Sequence, residues 1–231
     1  MYLPLDTFTR FLFSDGVMND QGRNTQRVTL FQSDRLEALT FISARWFIAI
    51  WGLVLPLIAY VGWGSVSAPL GVGLWLIGGL IWTLFEYVAH RYLFHWDARW
   101  TPGKWLVFLI HGNHHVTPND PLRNMMPPIV SVPVGGLIWA ALVAVFGPSA
   151  TWLFLGFMCG YVAYDFTHYA CHQYPMRGAL GQMLKRHHMR HHHIAEHGNY
   201  AITAIFWDRV FGSGIPSVAA GAVGVGKVRS D

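Results

Sequence analysis

Long apolar stretches separated by short polar connections dominate the middle of this chain. A helix that crosses a membrane needs about 20 mainly apolar residues, and three stretches reach that length with Glu86 as their one charged residue. The fourth stretch meets Asp165 early, so it is long enough only if that carboxyl group faces the protein interior. The pattern predicts four transmembrane helices, at about residues 46–64, 68–88, 127–147 and 150–167.

The connections after the first and third stretches, at residues 63–67 and 147–151, contain no Lys, Arg, Asp or Glu. Connections this short pair the four helices into two hairpins, with both tips on one side of the membrane. All sixteen Lys and Arg residues then lie on the other side, and an excess of basic residues marks the cytoplasmic side. We therefore expect an all-α, multi-pass integral membrane protein with both termini in the cytoplasm.

Composition agrees with a membrane location, because 53% of the residues are hydrophobic and 12% are charged, against about 25% charged in soluble domains. Basic residues near the ends of the spans explain the net charge of +4 by contact with anionic lipid headgroups. We therefore expect no nucleic-acid partner. The predicted organisation is a cytosolic or interfacial segment 1–44, one membrane domain 45–212 and a flexible tail 213–231.

All thirteen histidines lie between His90 and His197, and ten of them form four spaced groups. Residues three or four apart share a helix face, so three of the groups each present two or three imidazoles in one direction. Neutral imidazole suits iron, zinc, copper and nickel, and ten ligands are about right for two five-coordinate ions. The groups predict a two-metal site on His90, His95, His111, His114, His115, His168, His172, His188, His191 and His192.

Two details of this ligand set stay open. On an α-helix His90 and His95 would point about 140° apart, so they serve different metals or the helix ends between them. In the last group His188 repeats the spacing of the second group, whereas His187 pairs only with His191. We choose His188 and expect the remaining histidines not to be ligands; these are His187, His193 and His197.

Acidic residues near the predicted ligands are candidates for supporting roles. Glu86 lies one turn before His90 and Asp165 three residues before His168, where each carboxylate can accept the second ring N–H of the ligand. The alternative is that both are ordinary interfacial acids. Ten neutral imidazoles add no negative charge to two divalent ions, so we also expect nearby acids to offset part of about four positive charges; these include Asp208 and Glu196.

The four groups, spaced H-x4-H, H-x2-HH, H-x3-H and H-x2-HH and separated by spans, resemble the fatty acid hydroxylase/sterol desaturase superfamily. Neighbouring sequence resembles its fatty acid 2-hydroxylase branch, in the stretches His90–His95, His111–Arg123, Leu184–His188 and Phe206–Asp208. The resemblance covers about residues 45–212. It implies a four-span helical domain with a cytosolic, histidine-rich helical cap, in which the dinuclear metal site is itself the catalytic centre.

Members of this superfamily use dioxygen and two electrons to oxidise an unactivated lipid C–H bond. The resemblance therefore implies a lipid monooxygenase, and most directly 2-hydroxylation of a fatty acyl chain. Iron suits this chemistry, whereas zinc does not change its redox state and would mark substitution in a preparation. Some branches carry a cytochrome b5 domain. This sequence has no His-Pro-Gly-Gly motif and a short segment 1–44, so we expect a separate electron-transfer protein as partner, beside the lipid substrate.

Other functions remain open at this point. A sterol or carotenoid hydroxylase or desaturase of the same superfamily would use the same ligands. A non-redox metal-binding membrane protein is a different class, but a transporter would place its ligands inside the spans, and the His-Glu-x-x-His motif of zinc peptidases is absent. Asp120 and Arg123 either pair and hold their loop over the site or belong to a solvated loop. For a 2-hydroxylase, we expect polar cap residues to contact the substrate head; these are Asn113, Asn119, Arg123 and Tyr169.

Overall fold

The computed structural model of the protein describes residues 27–216. Most of the predicted N-terminal segment and of the predicted flexible tail lies outside these residues. Within them the chain is helical and contains no strand. The α-helices are α1 Asp34–Ala38, α2 Ala44–Gly62, α3 Ala68–Ala89, α4 Thr101–Val107, α5 Asn113–Val116, α6 Pro128–Phe146, α7 Ala150–Gln173, α8 Ala179–His193 and α9 Phe206–Val210, and π-helical turns cover His90–Phe94 and Phe108–Gly112.

Three helices are long and apolar enough to cross a membrane, and they match three of the four predicted spans. Their bounds are Ala44–Gly62, Ala68–Phe94 and Pro128–Phe146. Large apolar side chains on them face outward, with Leu53 75% exposed and Leu137 73% exposed. An apolar surface of this extent indicates contact with a membrane or with protein, and on helices of this length and hydropathy it fits an integral membrane protein. The fourth predicted span lies within α7.

Helix α7 occupies the centre of the structure and packs against α2, α3 and α6. Thirteen of its 24 residues are buried, so its side chains meet protein on most sides. Because protein neighbours can satisfy polar groups that lipid cannot, α7 carries buried polar residues such as Thr151, Asp165 and His168. This explains why its sequence is less uniformly apolar than the other three predicted spans.

Glycines let the backbones of α3 and α7 touch. A Cβ atom added at Gly78 would lie 1.9 Å from the carbonyl oxygen of Leu153, and one added at Gly156 would lie 1.8 Å from that of Trp75. Small residues at such crossings replace side-chain contacts by backbone contacts. The close crossing fixes α3 against α7, and both helices lead into histidine groups at the same end of the molecule.

The cap at that end is tied to the N-terminal part of the described chain by two partly buried charge pairs. The Arg27 Nε donates to Asp120 Oδ2 at 2.9 Å, and the Arg123 guanidinium pairs with Glu37. Asp120 and Arg123 are both buried, and their charged atoms approach to 4.0 Å. The loop after α5 is therefore held by these charges, in agreement with the pairing interpretation and not with a solvated loop.

Candidate metal centre

The ten histidines proposed as ligands form two groups of five in the structure. In each group, one ring nitrogen of every member lies within 4.8 Å of the others. The first group consists of His90, His95, His111, His115 and His191, and the second of His114, His168, His172, His188 and His192. His187, His193 and His197 belong to neither group.

The helical spacing decides which group each histidine joins. Pairs four residues apart stay together: His111 with His115 in the first group, and His188 with His192 in the second. The histidine between each pair, His114 or His191, joins the other group. Adjacent helical residues diverge by about 100°, so each H-x2-HH motif supplies both groups. This corrects the expectation that the three imidazoles of such a motif point in one direction.

A π-helical turn resolves the question raised by His90 and His95. The backbone N–H of His95 donates to the carbonyl of His90 at 3.2 Å, which is the i→i+5 bond that defines a π-helix. The wider turn brings residues five apart onto one face, and both imidazoles lie in the first group with ring centroids 5.1 Å apart. The two histidines therefore serve the same group, and the helix does end between them, at Phe94, with His95 as its C-cap.

The facing atoms in both groups are Nε2 nitrogens. Two ligand nitrogens that each lie about 2.1 Å from one ion, at right angles, are about 3.0 Å apart. The observed Nε2–Nε2 distances match this separation: His90–His111 3.0 Å, His111–His115 3.0 Å, His95–His191 3.0 Å, His114–His168 2.9 Å, His114–His192 3.1 Å and His172–His188 2.8 Å. The donor sets therefore fit a metal ion in each group.

Backbone carbonyls orient three of these rings. The Nδ1 atom of His90 lies 2.6 Å from the carbonyl oxygen of Tyr200, that of His168 lies 2.9 Å from Asn124 O, and that of His191 lies 2.8 Å from Gly198 O. Because a carbonyl only accepts, Nδ1 must carry the proton and donate. Each Nε2 then keeps a free lone pair directed into its group, as a metal ligand requires.

Burial keeps the imidazoles of the cap neutral. It lowers the pKa of His115 to about 2, with a further contribution from His191, and it lowers the pKa of His191 itself to about 4. The pKa of His111 also falls well below its usual range, first through burial and then through the nearby His90. At neutral pH these rings therefore offer lone pairs and not positive charges.

The two acids predicted to contact ligand rings have other partners. Glu86 accepts the backbone N–H of Thr203 at 2.8 Å and its hydroxyl at 2.6 Å, while Asp165 accepts the backbone N–H of Met126 at 2.9 Å and the Tyr161 hydroxyl at 3.0 Å. Neither acid accepts a ring N–H, and because both are buried neither is an ordinary interfacial acid, so neither of the two interpretations drawn from the sequence holds. The physical reason is that backbone carbonyls already occupy Nδ1 of the two histidines concerned.

Two of the four polar residues predicted to contact a substrate head are held by other groups of the protein, and two are not. The Asn113 amide donates to the carbonyls of Phe108 and Leu109, and Arg123 is buried against Glu37. Asn119 is exposed, and Tyr169 packs at the edge of Tyr174. Asn113 and Arg123 therefore serve the architecture of the cap, while Asn119 and Tyr169 remain accessible.

Sequence reasoning gave two residues near the histidines too small a role. Asp208, considered above only as a compensating charge, is fully buried, and its Oδ2 lies 2.9 Å from Nε2 of His187. Asn124 orients His168 through its carbonyl and places its amide nitrogen 3.1 Å from Nδ1 of His114. The Phe206–Asp208 stretch was noticed only for its resemblance, and Asn124 gave no signal because its role depends on a loop.

Comparison with known proteins finds relatives that match most of the chain. Residues 75–213 match the family described as fatty acid hydroxylase. The dihydroceramide fatty acyl 2-hydroxylase FAH1 of Arabidopsis thaliana is 38% identical over 82% of this chain and 81% of that protein. The fatty acid 2-hydroxylase of Rattus norvegicus is 33% identical over 83% of this chain and 58% of its own length.

A solved structure has the same fold. It is full-length scs7p, of which only the hydroxylase domain is visible. It aligns with a TM-score of 0.77 and 29% sequence identity, over 84% of this chain and 74% of the solved chain.

Proposed function

This chain belongs to the fatty acid hydroxylase family, and we propose that it hydroxylates carbon 2 of a fatty acyl chain with dioxygen at a dinuclear site. The observation that carries the proposal is the pair of five-histidine groups, which lie where membrane helices lead into the cap. The family match runs from before the first histidine group to beyond the last, at residues 75–213, and relatives that are 2-hydroxylases by name match over 82% and 83% of the chain. The names of these relatives give 2-hydroxylation of a fatty acid or fatty acyl chain as their activity.

Each histidine group would hold one metal ion, and iron is the metal we propose for activity. Bound there, the metals would supply the redox chemistry that activates dioxygen toward a C–H bond. The protein contributes neutral donors, rings fixed by backbone carbonyls, and a buried setting. The uncharged imidazoles leave the charge of the ions largely uncompensated, so acidic groups of the cap act at longer range; Asp208 is the most buried of them.

The arrangement in the membrane follows from the same proposal. We propose that α7 crosses the membrane together with α2, α3 and α6, as two hairpins whose tips face away from the cytoplasm. The support is the absence of charged residues at both tips and the basic residues of the cap. A reporter inserted after Gly64 or Gly147 should then lie outside the cytoplasm, while one fused after Asp231 should lie inside.

The substrate would enter from the bilayer, with its polar head at the cap and its chain between the helices. Carbon 2 lies next to the carbonyl group and therefore close to the cap, where the histidine groups are. We propose that the two electrons needed per hydroxylation come from a separate electron-transfer protein.

The deciding experiment supplies cells that express the protein with palmitate deuterated along the chain, under labelled dioxygen. Lipids are then analysed by mass spectrometry, with free acids and N-acylated sphingoid bases measured separately. Labelled oxygen at carbon 2, with loss of one deuterium there, is the expected result. A new double bond, oxygen at another carbon, or oxidation of a ring lipid alone would contradict 2-hydroxylation.

Metal identity is tested separately on the purified protein in lipid. We expect two iron ions per chain and dioxygen uptake that depends on both lipid and a reductant. Two zinc ions in an inactive preparation that gains activity on exchange for iron would fit the proposal. Activity with zinc alone would contradict it, since zinc has one stable oxidation state in proteins.

A further inference from the structure

The loop between α8 and α9, residues 198–204, turns two carbonyl groups toward the first histidine group. The Gly198 carbonyl accepts from Nδ1 of His191 at 2.8 Å, and the Tyr200 carbonyl accepts from Nδ1 of His90 at 2.6 Å. The loop therefore fixes the tautomer and the direction of two of the five rings in that group. We call residues 198–204 the orienting loop.

Two buried carboxylates bind consecutive backbone N–H groups of the orienting loop. Asp208 accepts from Tyr200 and Ala201, both at 2.9 Å. Glu86 accepts from Ile202 at 3.2 Å, Thr203 at 2.8 Å and Ala204 at 3.4 Å. Five successive amides, from residue 200 to residue 204, thus point to one carboxylate or the other.

Both carboxylates are positioned for this loop and not for solvent. Asp208 is fully buried and Glu86 is 2% exposed. Glu86 also accepts from the Trp82 indole at 3.1 Å and the Thr203 hydroxyl at 2.6 Å, and Asp208 accepts from the Ser213 hydroxyl at 2.8 Å. A buried carboxylate is costly unless hydrogen bonds satisfy it, so these acids and the loop hold one another in a single arrangement.

The second histidine group has a related support of its own. The Asn124 carbonyl accepts from Nδ1 of His168, and the N–H two residues later, on Met126, donates to Asp165. In the first group the same offset occurs, because the Tyr200 carbonyl accepts from His90 and the N–H of Ile202 donates to Glu86. Each group therefore has an acid that acts on it through a loop carbonyl.

We propose that Glu86 and Asp208 are positioning residues for the first histidine group, acting through the orienting loop, and that Asp165 is the corresponding residue for the second group. The proposal rests on the proposed function, in which each group holds one metal ion. Its consequence is selectivity: each acid controls the affinity of one metal site and leaves the other unchanged. Loss of an outer hydrogen-bond partner typically weakens metal binding by about 10- to 100-fold.

The test titrates cobalt(II) into the metal-free, full-length protein in lipid and follows the visible absorption of the bound ion. Wild type should bind two ions per chain. Glu86→Gln and Asp208→Asn should each weaken one site by about 10- to 100-fold, and Asp165→Asn should weaken the other. These variants keep the shape of the side chain while removing its charge and part of its accepting capacity.

The histidine variants identify which site is affected. His115→Ala should abolish cobalt binding in the first group and leave one ion in the second. In that background Glu86→Gln should not change the affinity of the remaining site, whereas Asp165→Asn should weaken it. If Glu86→Gln weakened the remaining site as much, or if it changed neither site in the wild-type background, the proposal would be overturned.

A milder variant and a separate measurement serve as controls for loss of folding. Thr203→Val removes one hydrogen bond to Glu86 and should weaken the first site alone, by a smaller factor. Tryptophan fluorescence of the metal-free variants on heating measures whether they are folded. If the acids had a purely structural role, their replacement would lower the unfolding temperature and weaken both metal sites together. Failure of the wild type to bind two cobalt ions would contradict the proposed function. Variants that weaken both sites equally would contradict only the positioning roles, so the two failures can be told apart.

Discussion

The imidazoles of His115 and His192 stack against each other, with ring centroids 4.3 Å apart and planes 23° from parallel. His115 belongs to the first histidine group and His192 to the second, so the two groups are in direct contact. The contact joins α5, in the loop region between two spans, to α8, which follows the last predicted span. Two metal ions bound in these groups, as proposed above, would therefore lie next to each other.

Replacing His115 by Ala should therefore reduce metal content and abolish hydroxylation. The change removes one nitrogen donor from the first group and the ring that stacks on His192. The metal content of the purified protein should fall from about two ions per chain toward one, because each proposed ion is bound by five histidines. His193→Ala and His197→Ala are the matched controls, because both side chains are exposed and outside the groups. Full metal content with full activity in His115→Ala would contradict the assignment.

The adjacent residues His187 and His188 should respond differently to the same substitution. His188→Ala removes a donor from the second group and should lower metal content. His187→Ala instead breaks the contact with Asp208, leaving a buried carboxylate with one partner fewer. That should lower the free energy of unfolding by about 1–3 kcal/mol, and both metals should stay bound. Equal metal loss in the two variants, measured at a temperature where both are folded, would rule out this division of roles.

Much of the architecture could be predicted from sequence, because it follows from which residues can be exposed to lipid and which cannot. Lipid dictates the length and apolarity of a span, so three predicted spans reappear as helices with nearly the same bounds. That the ten histidines lie close together could also be predicted, because imidazoles three or four residues apart share one face of a helix. Helical spacing explains which histidines of one motif stay together, but how the motifs combine into two groups could not be predicted, because it depends on how α5 and α8 pack against each other.

The supporting residues were less predictable for a different reason. Glu86 and Asp165 were singled out by their closeness in sequence to the histidine groups, but their partners are backbone amides far along the chain, at residues 202–204 and 126. Backbone donors carry no sequence signature. The π-helical turn at His90–Phe94 has the same character, since its register becomes visible only when His95 is found beside His90.

The close crossing of α3 and α7 can be tested with two neighbouring glycines. A Cβ at Gly78 would overlap the backbone of Leu153, whereas the nearest atom to a Cβ at Gly79 lies 3.7 Å away. Gly78→Ala should therefore force the helices apart and cost about 1–3 kcal/mol of stability. Gly79→Ala should be neutral or slightly stabilising, because Ala favours helix. Thermal unfolding in detergent measures both, and equal unfolding temperatures would contradict the crossing.

The stability of the metal-free protein should fall as the pH is lowered below about 6.5. Burial holds the pKa of His191 at about 4 and that of His115 at about 2 in the folded state, whereas the unfolded chain takes up protons near 6.5. Below that pH the unfolded state binds more protons than the folded state, so protonation favours unfolding. The decline begins near pH 6.5 and continues until each folded-state pKa is passed.

Unfolding temperatures recorded between pH 8 and pH 5 by tryptophan fluorescence check this expectation. The curve should be nearly flat above about pH 7 and should fall below about pH 6, since the imidazoles are neutral in both states at the higher pH. His115→Gln should make the fall shallower, because one buried group no longer contributes. His193→Gln should leave it unchanged, because that side chain is exposed in the folded state. An unfolding temperature independent of pH over this range would mean that the histidine groups are not buried and neutral.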